Sequence, residues 1–291
     1  MAEPLRCDHR ETASPRSVTA GDCWRPRRPS SAPTTWPPAT DGDWPRADWA
    51  GEVDHSTTSR SQLGLSSLPT LHAILAVCAH PDDESFGLGA VVAAFTAAGT
   101  SSRALCFTHG EASTLGLGDR PLTQIRAEEL TSAASLLGVE DVALLGYPDT
   151  GLPAIPLAEL SGHVLSHSQG VDLLLVFDEG GITGHPDHTA ATAAALAAAA
   201  TLGLPVLAWA LPEHIAASLN TEFGTTFVGR GPGEIDLEIT VDRAQQRRAI
   251  ACHASQSTDN PVLWRRLQLL GDREHLRWLR PRTDDQLAQF A

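Results

Sequence analysis

Two short segments hold the residues that could do chemistry together: His80-Pro81-Asp82-Asp83-Glu84-Ser85 and, much later in the chain, Gly184-His185-Pro186-Asp187-His188. Imidazoles and carboxylates brought together from two loops are the donor set that a borderline divalent ion such as zinc takes, three protein ligands leaving one position open for water. A spare carboxylate beside that water could take its proton, because a bound metal lowers the water pKa toward neutrality. Each segment also has an ordinary reading, since His-Pro pairs occur in turns and acidic residues after a strand cap the next helix. What favours the metal reading is that both segments follow strands of one predicted sheet.

Those strands belong to a regular alternation that starts at His72. Strands are expected at 72–79, 103–108, 142–145, 171–177 and 206–211, with helices at 86–98, 122–137, 157–166 and 188–202 between them. Continuous runs of Ile, Leu, Val and Ala separated by helices imply a mostly parallel sheet covered on both faces, a Rossmann-like three-layer α/β fold. Ligands of such sheets sit in the loops after the carboxyl ends of the strands, where both segments fall. Beyond Pro212 the pattern loosens. Strands are expected at 225–228 and 234–241, a helix at 242–252 with Asp242 as its N-cap, and helix again over 261–280.

Composition narrows the function further. The 291 residues carry 21 basic side chains, all Arg, against 35 acids, a net charge of -14. Residues 1–70 contribute eight Arg and nine acids, which leaves thirteen Arg and twenty-six acids, a net -13, for the remainder. A nucleic-acid partner held by general electrostatics is therefore excluded, because phosphate neutralisation needs a basic face. Residues 1–68, rich in Pro, Trp, Ser and Arg without periodicity, are expected to be a disordered tail, native or translated from a misplaced start, ahead of one domain over 69–291. Its first thirty residues have no apolar run of signal-peptide type, and the Ala-rich stretch from Ala190 to Leu211 reads as a soluble helix and strand rather than a membrane span. The five Cys form no paired pattern. Cytoplasmic residence is the expectation, and self-association into a homo-oligomer stays open.

The paired motifs resemble the LmbE or PIG-L family of zinc-dependent N-deacetylases, whose members act on N-acetylglucosaminyl-inositols and on related substrates of thiol metabolism. The resemblance extends to Arg126-Ala127-Glu128-Glu129-Leu130, to Gly146-Tyr147-Pro148-Asp149 and to His253-Ala254-Ser255-Gln256. It implies His80, Asp83 and His188 as ligands of one Zn2+, or another divalent ion such as Fe2+. It also implies Asp82 as general base and His185, once protonated, as the group that steadies the oxyanion. Arg126 and Asp149 match positions that reach the substrate. Arg126 reads equally as a helix-surface partner of Glu128 or Glu129. Glu111 and His109, in the loop after the second strand, join them as a candidate rim around a small amino-sugar substrate. In the thiol-pathway relatives a Tyr precedes the second motif, whereas Thr183 stands two residues before His185 and Tyr147 is the only Tyr. That departure shifts weight to a more general sugar deacetylase. The alternatives are an amidase of a thiol conjugate and a non-catalytic metal- or sugar-binding relative.

Overall fold

The computed structural model describes residues 68–116 and 118–281; the tail expected over 1–68 lies, Leu68 aside, outside the described residues. The chain opens with β1 (Ala73–Cys78), α1 (Asp83–Phe86), α2 (Gly89–Ala97), β2 (Ser101–Thr108), α3 (Leu122–Leu137) and β3 (Val139–Tyr147). It continues through α4 (Leu157–His167), β4 (Leu173–Phe177), α5 (Gly181–Gly184), α6 (Pro186–Leu202), β5 (Val206–Pro212) and α7 (Glu213–Phe223). Last come β6 (Gly229–Arg230), β7 (Leu237–Thr240), α8 (Ala244–Cys252), α9 (Ala254–Ser257), α10 (Pro261–Leu270) and β8 (Arg273–Arg280).

β1 is apolar at all six positions because both its faces are covered. Ile74, Ala76 and Cys78 enter one core with Phe95 of α2 and Leu130 and Leu137 of α3. Leu75, Val77 and Ala79 enter the other with Leu160 and Val164 of α4 and the alanines of α6. Small side chains let α6 lie close to both the sheet and α4. Cys78 and Cys106 are buried strand thiols whose pKa burial pushes up, which keeps them in the unreactive thiol form.

The sheet order is β3-β2-β1-β4-β5-β8-β7, with β1 to β5 parallel and β8 antiparallel to both neighbours. Strand order reverses between β1 and β4, which are hydrogen-bonded neighbours. A crevice opens at such a switch point, and the loops leaving these two strands carry the two motifs. Topology thus places the two segments side by side.

Several expected elements are corrected. The helix expected over 86–98 is broken at Gly87, where a Cβ would lie 2.3 Å from the Phe177 ring. The strand at 225–228 is replaced by the two residues of β6, and that at 234–241 shortens to β7. α7 was not expected. Asp242 does accept the Ala244 N–H at 2.8 Å, although α8 begins two residues later than predicted. The largest correction concerns 261–280: its first half is α10, started by Asn260 accepting the Leu263 N–H at 3.0 Å, but its second half is β8, inserted between β5 and β7.

Candidate active site

The turn after β1 is folded by a carboxylate. Asp83 Oδ2 accepts the backbone N–H groups of Ala79 and His80 at 2.9 and 3.0 Å, which turns its other oxygen toward α6. There Asp83 Oδ1 lies 3.0 Å from His188 Nε2, and His188 Nε2 lies 3.2 Å from His80 Nδ1. The far nitrogens of both rings are engaged. His80 Nε2–H donates to Asp149 Oδ1 at 3.0 Å and Asp187 Oδ2 at 3.3 Å, and His188 Nδ1–H donates to the Gly181 carbonyl at 3.0 Å. The two facing nitrogens therefore present lone pairs to each other beside a carboxylate, an arrangement that needs a positive charge between them. A tetrahedral ion bound at about 2.0–2.1 Å sets its ligand atoms roughly 3.3 Å apart, which the 3.0 Å from His188 to Asp83 Oδ1 and the 3.2 Å between the two imidazoles match. His80, Asp83 and His188 can hold a divalent metal.

The electrostatics agree. Burial alone would lower the His80 imidazole, but Asp149, Asp187 and Asp83 reverse this and raise it to about 10. Burial pushes Asp83 up, and His188 and His80 outweigh it, holding the carboxyl well below the usual range. The carboxylates around His80 thus favour positive charge at this point. The backbone here is also strained: Asp82 (φ 117°), Thr150 (φ 66°) and Ile182 (φ 58°) are the positive-φ residues other than glycine among the described residues. All three border this site. Asp82 lies between two candidate ligands, Thr150 N–H donates to Asp187 at 2.7 Å, and Ile182 follows the carbonyl that holds His188. Backbone strain of this kind clusters at functional sites.

Asp82 stands beside the trio without joining it. Its Oδ2 accepts from Arg126 Nη2 at 2.9 Å, while Oδ1 has no hydrogen-bond partner among the described residues. Burial lifts its carboxyl to about 6 against the pull of Arg126, with Asp83 adding to the rise. Arg126 is itself 3% exposed and also donates to the carbonyls of Pro81 and, at 2.5 Å, Gly110. Gly110 has φ +63°, and a Cβ there would lie 1.8 Å from Arg126 Nη1. Gly110→Ala is expected to cost at least about 1–2 kcal/mol for the left-handed backbone alone. Gly118→Ala, with open space around it, should cost less; thermal denaturation of the two variants checks the difference.

A profile of the PIG-L family, described as GlcNAc-PI de-N-acetylase, matches residues 75–199. Over residues 75–199 the chain resembles the PIG-L family. It is 33% identical over 168 residues to a 1D-myo-inositol 2-acetamido-2-deoxy-alpha-D-glucopyranoside deacetylase of Catenulispora acidiphila, across 48% of this chain and 51% of that protein. The chain thus spans about half the length of this relative. It is 28% identical over 218 residues to a probable N-acetyl-alpha-D-glucosaminyl L-malate deacetylase of Bacillus anthracis, across 71% of this chain and 91% of that protein. Among solved structures it resembles a deacetylase of teicoplanin biosynthesis in complex with teicoplanin (TM-score 0.56, 19% identity, 73% and 99% of the two chains). It also resembles a 4-carboxy-2-hydroxymuconate hydratase of Pseudomonas putida (TM-score 0.55, 18% identity, 73% and 98%). The second likeness shows that this fold hosts more than one chemistry, so the side chains must decide.

Within the PIG-L motifs the structure brings His80, Asp82, Asp83, His185 and His188 together. The His185 ring packs edge-on to His80, with centroids 4.8 Å apart. Its Nδ1 accepts the Asp187 N–H at 3.2 Å, so Nε2 carries the proton. Burial, then the His80 and His188 charges, lower it to about 4, which makes the resting ring neutral. Asp149 has both oxygens occupied, Oδ1 by His80 and Oδ2 by the Ala112 N–H at 2.9 Å. Arg126 is no helix-surface partner, because Glu128 pairs with Arg120 at 2.5 Å and Glu129 accepts from Ser255. Glu111 accepts the Asp149 N–H at 3.0 Å and His109 meets the Thr123 carbonyl at 3.2 Å, so both belong to the loop that closes over Asp149. Tyr147 is taken up by Glu159 and His163, at 2.7 and 2.8 Å. Asp187, 0% exposed, was not singled out from sequence, since within His-Pro-Asp-His it reads as a helix-capping acid. Only its contact with His80, at 3.3 Å, reveals that it orients a candidate ligand.

Proposed function

We propose that this chain is a metal-dependent hydrolase that removes an N-acetyl or similar small acyl group from a glucosamine-containing small molecule. The observation that carries the reading is the pair of imidazole nitrogens facing at 3.2 Å with their far nitrogens engaged, beside a carboxylate, Asp82, that is left out of the trio. A purely structural metal site closes its coordination sphere and has no use for that spare base, which speaks against a non-catalytic relative.

A divalent cation held by His80, Asp83 and His188, most simply Zn2+ with Fe2+ as the alternative for this donor set, would polarise an amide carbonyl and acidify a water. Asp82 takes the proton from the attacking water and returns it to the amide nitrogen, so that water adds across the C–N bond and the products are a carboxylic acid and an amine. Neutral His185, with Nε2–H directed away from Asp187, donates to the carbonyl oxygen as it gains charge. It needs no prior protonation, unlike the sequence-based expectation. Asp149 and Asp187 hold the His80 tautomer, and Arg126 aims Asp82; none of the three needs to touch substrate. Recognition then falls to the rim formed by the loops after β2 and β3, where Glu111 and His109 lie.

The relatives named as inositol and malate deacetylases support an N-acetylglucosaminyl small molecule as substrate. They also bring back the thiol-pathway reading that Thr183 had disfavoured. Amine release from N-acetylglucosaminyl-inositol, N-acetylglucosaminyl-malate and an N-acetylglucosaminyl glycopeptide separates these substrates, and release from none of them would overturn the proposal. Chelation is expected to abolish the activity and one equivalent of divalent metal to restore it. A chelated protein, shown metal-free by elemental analysis and still releasing amine at the parental rate, would sink the mechanism.

A further inference from the structure

Glu84 and His253 are both 0% exposed, and the mechanism above uses neither. Glu84 Oε2 accepts the Asp82 backbone N–H at 2.9 Å, while Oε1 accepts from Ser85 Oγ and from His253 Nε2, each at 2.6 Å. His253 Nδ1 is buried with no partner, and its ring packs edge-on to Phe86 with centroids 5.7 Å apart. The residues after it anchor two other parts of the site: Ser255 donates to Glu129 of α3, and Gln256 accepts from Ser113 of the loop after β2 at 2.7 Å. A carboxylate is thus buried against the one backbone N–H whose residue holds φ 117°. Burying a charge is costly, and strained backbone persists only where its surroundings over-determine it.

We infer that Glu84, held by His253, is a positioning residue that pins Asp82 in its strained conformation and so aims the catalytic carboxylate. The inference rests on the reading of Asp82 as general base. Arg126 fixes the Asp82 side chain from one side and Glu84 fixes its backbone from the other. The competing role is a helix cap: Glu84 does reach back to the N–H of Asp82, the residue just before α1, but that helix has only four residues. A cap would affect stability and leave the distribution between kcat and KM untouched.

The test is steady-state kinetics of the metal-loaded full chain. Glu84→Ala is expected to lower kcat by about tenfold or more, the consequence of a misplaced base, with KM and metal content unchanged. Glu84→Gln should recover most of the rate, since its amide oxygen can accept the Asp82 N–H while its NH2 donates to His253 in the other tautomer. Combined with Asp82→Asn, Glu84→Ala should add no further loss. If Glu84→Ala fails to fold, Glu84→Asp keeps the charge beside His253 but withdraws it from Asp82, and the same fall in kcat is expected. An unchanged kcat in the folded variant, or losses that add in the double variant, would overturn the inference. Asp82→Asn at parental rate would instead overturn the base itself, so the two failures are distinct.

Discussion

Asp82→Asn is expected to lower kcat for amine release by about 10²–10⁴-fold, the usual contribution of a general acid–base group, while metal content and thermal stability stay near those of the parent. Asn keeps the shape and can still accept from Arg126 with its amide oxygen, so the 2.9 Å contact that orients the side chain survives. What is lost is the oxygen that can hold a proton. The environment makes that loss matter: burial holds the Asp82 carboxyl at about 6, close to the pH at which a base both is ionised and takes protons usefully. The metal trio should not notice the change, because His80, Asp83 and His188 make none of their mutual contacts through Asp82. Rates from a fluorogenic amine assay, read beside metal analysis, decide the matter. A variant that keeps its metal and its rate would remove Asp82 from the mechanism.

Glu274→Leu should produce the largest change in stability. Glu274 is fully buried, accepts from Arg243 Nη1 at 2.5 Å through one oxygen and from Trp209 Nε1 at 2.6 Å through the other. Arg243 also donates to Gln246 at 2.7 Å and to the carbonyls of Gly271 and Arg273, and Arg266 lies 5.1 Å over the Trp209 ring. Removing one partner leaves a buried guanidinium uncompensated, which costs about 3–5 kcal/mol, or roughly 10 °C in melting temperature for a domain of this size. Adding Arg243→Met should recover most of the loss, since an apolar pair can replace a buried ion pair with little penalty. Failure of the second change to recover stability would mean that the cluster matters for its neighbours rather than for its charge pair. Those neighbours include the site: Gln246 and Arg266 donate to the carbonyls of Ser85 and Phe86 at 3.1 and 2.8 Å, just after Glu84. Lower activity below the melting transition is therefore expected from the single variant as well.

Glu274 also explains why β8 resembles a helix in sequence. Arg273-Glu274-His275-Leu276-Arg277-Trp278-Leu279-Arg280 alternates polar and apolar residues imperfectly, and its inward positions are Glu274 and Leu276. A buried carboxylate looks like a surface residue to any reading of hydrophobic period. Only the Arg243 and Trp209 donors waiting in the interior make it a core residue, and those lie in distant segments. The parallel strands β1, β4 and β5 were legible for the opposite reason: burial on both faces demands unbroken apolar runs, which no helix surface or loop produces. The break at Gly87 and the helix α7 were not, because neither alters the local apolar pattern that the reading relied on.

The same division runs through the site. The sequence by itself determined that the motifs holding His80, Asp82, Asp83, His185 and His188 would lie on one edge of the sheet, because each follows a buried parallel strand; the pairing of β1 with β4, which makes them meet, was decided by the tertiary structure. It could not determine which of the remaining polar residues face substrate. Arg126, Asp149 and Asp187 have the residue types of substrate contacts or helix caps, and only the fold shows that they meet Asp82 and His80. Nor could it pair Glu84 with His253, 169 positions apart, since that contact exists only once α8 and α9 close over the turn after β1. The identity of a ligand is carried by its own chemistry and local turn. The orientation of that ligand depends on hydrogen bonds between segments that meet only in the folded chain.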